Sequence, residues 1–150
     1  MENRIQKLEV FLALFLVLMP LFLIILTGEV RTSISDYAYS SHANYFVVLL
    51  SLSSMLFIYN GWVKCRHWYN IILGLSLLGV AVTPHKEFEV THYLCASIFF
   101  IGSVLTMVIF SSAKQRLFKM IAGALIIWVL AMALLPVKLF SLLTAEWIGL

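Results

Sequence analysis

Charge is what this chain most lacks. Only 11% of its 150 residues are Asp, Glu, Lys or Arg, against about 25% in a soluble domain. That shortfall excludes a soluble globular enzyme, a disordered tail and a nucleic-acid-binding module. Cysteine is nearly absent too. Cys65 and Cys95 make no disulfide framework and match no zinc spacing. Proline occurs three times, and there is no low-complexity tract. There is no internal repeat, so an inverted-repeat transporter is not indicated. Ionisable residues are missing between 43 and 59, 69 and 83, 93 and 113, and 120 and 135. A proton relay or voltage sensor would need them there.

What is present is apolar. Hydrophobic residues make up 63% of the chain and mean hydropathy is +1.03. The expected fold class is all-α, a polytopic transmembrane helical bundle forming one integral membrane domain over residues 1–150. A helical span needs roughly 20 apolar residues. The apolar runs place five spans at about 8–27, 43–60, 69–83, 90–110 and 117–135. They do not alternate and are too long for barrel strands. The last residues, 137–150, carry Lys138 and Glu146. They are expected to form a short amphipathic helix or an incomplete sixth span. The first span is read as uncleaved, because Thr27-Gly28-Glu29-Val30 is a poor signal-peptidase site. Pro20 is a candidate kink within it, and Asn60-Gly61 reads as a turn.

Basic residues set the orientation. Arg4, Lys7, Lys64, Arg66, Lys114, Arg116 and Lys119 fall on one side of five spans, and Arg31, Lys86 and Lys138 on the other. Short loops rich in Lys and Arg stay in the cytoplasm. The N-terminus is therefore expected inside and the C-terminus outside, in a bacterial inner (plasma) membrane.

Polar chemistry collects on the opposite, outer side. The first outer loop runs from Arg31 to Asn44 and the second from Thr83 to His92. In a small bundle the two must approach each other. The preferred reading is a polar site for a lipid headgroup or small ligand, with Ser35, Asp36, Tyr37, Tyr39, His42 and His92 as candidate contacts. The tyrosines also suit a plain interfacial belt. A second reading is a membrane-embedded hydrolase or metal-dependent enzyme. Ser33, Ser35, Asp36, His42 and His92 hold the ingredients of a serine–histidine–acid set, although no G-x-S-x-G elbow accompanies them. His85, Glu89 and His92 stand four and three apart, a candidate metal set if helical; Pro84 argues against continuous helix there. A third reading is an oligomeric scaffold or membrane-disrupting effector joined through small-residue faces. No cofactor is called for. The expected partners are membrane lipids and possibly further copies of the chain, not nucleic acid.

The order of motifs carries a resemblance. Ser33-Ile34-Ser35-Asp36-Tyr37 leads into a span, Thr83-Pro84 closes another, and His92 opens the next, followed by Ala96 and Phe99-Phe100. From about residue 30 to 110 the chain resembles uncharacterised bacterial multi-pass inner-membrane proteins with S-x-S-x-Y and P…H-x-x-x-A-x-x-F-F motifs. The resemblance implies a helical membrane bundle and no particular activity. Such proteins often carry Tyr-Tyr and Arg-Asp, where this chain has Tyr37-Ala38-Tyr39 and Ala43-Asn44. They also tend to continue into a further span after a segment like Ala145-Glu146-Trp147.

Overall fold

A computed structural model describes residues 2–63 and 67–110, together with 117, 119–121, 123–125, 127 and 128. Among these residues the chain is helical, with no strand. Four α-helices follow in order: α1 (Glu2–Thr27), α2 (Ala43–Val63), α3 (Tyr69–Val82) and α4 (Glu89–Ile109). A short 3-10 helix, Ser35–Tyr39, lies between α1 and α2. The described residues from 117 to 128 are helical as well. Cys65, the cations Lys64, Arg66, Lys114 and Arg116, whose loops are expected to be cytoplasmic, and the expected C-terminal helix lie outside the described residues.

Among the described residues, three helices are long and apolar enough to cross a membrane: α1 through Val10–Thr27, then α2 and α4. Helix α3, at 14 residues, is shorter than a straight span. Large apolar side chains are turned outward on all three long helices, as with Ile25, Met55 and Leu94. Water would penalise that exterior and hydrocarbon would solvate it.

Local sequence sets where each helix stops. At the end of α1, the Gly28 amide donates to the Ile24 carbonyl at 2.9 Å. Gly28 then turns out of the helix with φ +69°, a conformation that costs a side-chain-bearing residue about 1–2 kcal/mol. Thr83 ends α3. Its amide and hydroxyl both reach the Gly79 carbonyl, at 3.0 and 2.6 Å. Pro84 cannot continue the helix, and it biases the preceding residue away from helical dihedrals. Thr83 accordingly sits at φ −114°, ψ 89°. The Phe88 amide then closes on the Pro84 carbonyl at 2.9 Å, and α4 begins with Glu89 in its first turn, where the helix dipole favours a carboxylate.

Helices adjacent in the chain pack side by side: α1 on α2, α2 on α3, α3 on α4. The core is formed by Met19 and Leu23 from α1, Tyr37 from the 3-10 helix, Phe46 and Leu50 from α2, Leu73 and Leu77 from α3, and Phe99 from α4. Helices α2 and α3 approach closely enough for the Ser54 hydroxyl to donate to the Gly74 carbonyl at 2.6 Å.

The expected turn at Asn60-Gly61 is corrected. Both residues are helical and buried within α2. A Cβ on Gly61 would lie 2.7 Å from Ile71 Cγ1 and 2.9 Å from the Ile71 amide nitrogen. The glycine serves close packing between helices, and its turn-like dipeptide context misleads. Helix α1 runs through Pro20, which is fully buried.

Candidate functional site

One end of the bundle is built by two connections, residues 28–42 and 83–88. They are clamped together. The Lys86 amide donates to the Tyr39 hydroxyl at 2.7 Å, and the Lys86 ammonium lies 4.3 Å above the same ring. The Tyr39 and His85 rings meet edge to face, 5.2 Å between centroids.

The first connection is braced from below. Tyr37 is fully buried and its hydroxyl donates to the Glu29 carbonyl at 2.8 Å. Burial pushes its phenol pKa up, with the Glu29 charge adding to the effect and Arg31 opposing both. Arg31 pairs with the Glu29 carboxylate. The Ser33 hydroxyl accepts the Asp36 amide proton at 3.0 Å, and the Thr32 hydroxyl donates to the Asp36 carboxylate. These local bonds hold the Ser35–Tyr39 turn, so Ser35 and Asp36 have fixed directions.

His92 joins the two connections. It is buried, at 3% exposure, and both ring nitrogens are engaged. Nδ1 lies 2.6 Å from the Thr83 carbonyl oxygen, and Nε2 lies 3.0 Å from the Ser35 hydroxyl. A carbonyl can only accept, so Nδ1 carries the proton. In the neutral ring Nε2 is then the acceptor, and Ser35 donates to it. The helical break imposed by Pro84 leaves the Thr83 carbonyl free for this bond.

His85 stands beside this pair. Its ring centroid is 5.7 Å from that of His92. Its Nε2 is 3.4 Å from the Asp36 carboxylate, and its Nδ1 is buried with no hydrogen-bond partner. An unpaired buried polar atom is costly, and one beside a cavity points to a ligand.

A cavity of about 470 Å³ opens below these residues, within the usual range for small-molecule sites. Its polar end carries Ser33, Ser35, Asp36, His85 and His92. Its body is apolar, walled by Met19, Phe46, Leu50, Leu77, Phe99 and Phe100, with Ile127 also contributing. Helix α4 supplies His92, Tyr93, Ala96, Ser97, Phe99, Phe100, Ile101 and Val104.

The expected site residues thus divide. Ser35, Asp36 and His92 meet at the cavity, and His85 joins them. Tyr39 is the clamp and Tyr37 an internal strut. His42 is exposed, stacked on Tyr45 at 5.6 Å and bonded to the Ser41 hydroxyl; it does not line the cavity. Glu89 is exposed, and no group of three or more His, Cys, Asp or Glu suited to a metal ion occurs among the described residues. Two features escaped the sequence reading. One is the Thr83 carbonyl, for which the following proline was the available signal. The other is a second cavity of about 410 Å³ at the far end, lined by Asn60, Asn70, Ser103, Thr106 and Lys119 among others. Asn60 is 4% exposed and its Oδ1 has no partner there.

The model of a family of unknown function, DUF7103, matches residues 18–150. No curated protein and no solved structure matches the chain.

Proposed function

The chain belongs to the DUF7103 family, whose function is unknown, and on the chemistry of its own cavity we propose that it is a multi-pass membrane protein that binds one amphiphile, a membrane lipid or a molecule like one. The observation carrying this reading is the division of the 470 Å³ cavity into a polar end and an apolar body. A headgroup or linkage region meets the hydroxyl, carboxylate and imidazoles of Ser35, Asp36, His85 and His92. An acyl chain runs along Leu50, Leu77, Phe99 and Phe100. Binding sites of this kind are mostly apolar, with a few polar groups that fix orientation.

In the proposed setting the chain has five spans in a bacterial inner membrane, with a cytoplasmic N-terminus. The seven-to-three division of Lys and Arg supports that orientation. The cavity's polar end then lies at the outer interface, level with lipid headgroups. The cluster there exceeds anything the charge rule requires.

Native mass spectrometry tests the binding. The full chain is reconstituted in nanodiscs of phosphatidylethanolamine and phosphatidylglycerol, then released in the gas phase. One lipid per chain is expected to stay bound. Ala96 lines the cavity wall, so Ala96→Trp is expected to fill the space and remove that lipid. Equal lipid retention by wild type and Ala96→Trp refutes the reading.

A further inference from the structure

Resting on that binding reading, we propose that Ser35 is the nucleophile of an acyl-transfer site that hydrolyses a carboxylic ester of the bound amphiphile, with His92 as general base and the Thr83 carbonyl orienting it. The geometry is directional. His92 Nδ1–H donates to the Thr83 carbonyl oxygen, with N···O 2.6 Å, which turns the Nε2 lone pair toward Ser35 at 3.0 Å. Nucleophile and base are within the distance such pairs show, and the base is held by a third group. Here that group is a backbone carbonyl. The Asp36 carboxylate is occupied by Thr32 and His85 instead. Ser33 is excluded as nucleophile, being buried with its oxygen engaged by the Asp36 amide.

The lining points to the substrate class. Ser35 shares the cavity with polar Asp36, His85 and His92 and with apolar Leu50, Leu77 and Phe99. In an ester-linked amphiphile the scissile bond lies between a polar headgroup and an apolar chain. The Ser35 oxygen adds to the ester carbonyl carbon while its proton passes to His92 Nε2. The tetrahedral intermediate collapses by breaking the C–O bond to the alcohol portion, which takes the proton from Nε2 and leaves. Water then adds to the acyl-Ser35 carbonyl, giving its proton to Nε2. Cleavage of the acyl–Oγ bond returns that proton to Ser35 and releases the carboxylic acid. Ester and water become acid and alcohol, with no other reactant. His85 is held by Asp36 through Nε2.

The test uses the full chain in nanodiscs and a dodecyl fluorophosphonate probe, read by intact mass and peptide mapping. A single adduct on Ser35 is expected. Its rate of formation should fall at least ~100-fold in His92→Gln, the usual weight of general-base assistance. Ser35→Ala should give no adduct. In the wild-type chain, lipid retention without an adduct, or an adduct on another residue, overturns the acyl-transfer proposal and leaves binding intact. Loss of both lipid and adduct in the wild-type chain overturns the two together. An adduct on Ser35 formed equally fast in His92→Gln overturns the assigned base.

Discussion

Gly61→Ala tests how closely α2 and α3 approach. In an ordinary helix interior the change gains about 0.5–1 kcal/mol, because glycine loses more backbone freedom than alanine. Here the added methyl would sit 2.7 Å from Ile71 Cγ1, 2.9 Å from the Ile71 amide nitrogen and 3.2 Å from the His67 carbonyl oxygen. The Ile71 side chain can rotate aside, but its amide nitrogen cannot, so the helices must separate by several tenths of an ångström. Overpacking of this kind typically costs about 1–3 kcal/mol. Set against the propensity gain, the net expectation is a loss of roughly 1–2 kcal/mol. For a chain of this size that lowers Tm by about 2–4 °C per kcal/mol. Gly61→Leu should be worse. The assay is thermal unfolding of the purified chain in one detergent, followed by circular dichroism and by exposure of Cys95 to a thiol-reactive dye. If Gly61→Ala raises Tm, the α2–α3 contact is looser than described, and Asn60-Gly61 regains its reading as a turn.

Gly28→Ala, which meets no atom within 4 Å but must hold φ +69°, is expected to cost about 1 kcal/mol in the same melts; no loss would mean that α1 ends elsewhere. His92→Phe removes the bonds to Thr83 and Ser35 and should destabilise by about 1–3 kcal/mol, at 0.5–1.5 per hydrogen bond. His92→Asn, which can keep a donor toward Thr83, should recover part of that loss, and equal melting of the two variants would refute the tautomer assigned to His92. Tyr39→Phe deletes the acceptor for the Lys86 amide and is expected to cost about 0.5–1.5 kcal/mol and to raise hydrogen exchange at Lys86; unchanged exchange would show that the two connections do not depend on this clamp. For orientation, Asn3→Cys should resist an impermeant thiol reagent in intact cells, while Ser41→Cys, at an exposed position, should react; the opposite pattern overturns the proposed topology.

Much of the architecture is a consequence of composition. In a bilayer, apolar runs of about its thickness can satisfy their backbone only as helices, so the helices among the described residues and their boundaries at residues 27, 43, 69 and 82–83 agree with where the runs stop. Gly28 and Pro84 act through their own dihedral limits, and those limits travel with the residue. The crowding of serine, aspartate and histidine into two short connections was equally visible in one dimension, because it needs only a count.

Pairing needed three dimensions. His42 and His92 look alike in sequence, each polar at the start of a span. Yet His92 is buried between Thr83 and Ser35, while His42 stacks on Tyr45 in the open. The difference depends on where helix rotation points each ring. Rotation is decided by packing against neighbours rather than by local preference. Asn60-Gly61 shows the same limit: a turn-forming dipeptide stays helical because Ile71 comes close enough to require the missing side chain. The cavity has no sequence signal at all. It is a space lined by Met19, Leu50, Leu77 and Phe99 from four different helices, and only the arrangement of those helices creates it.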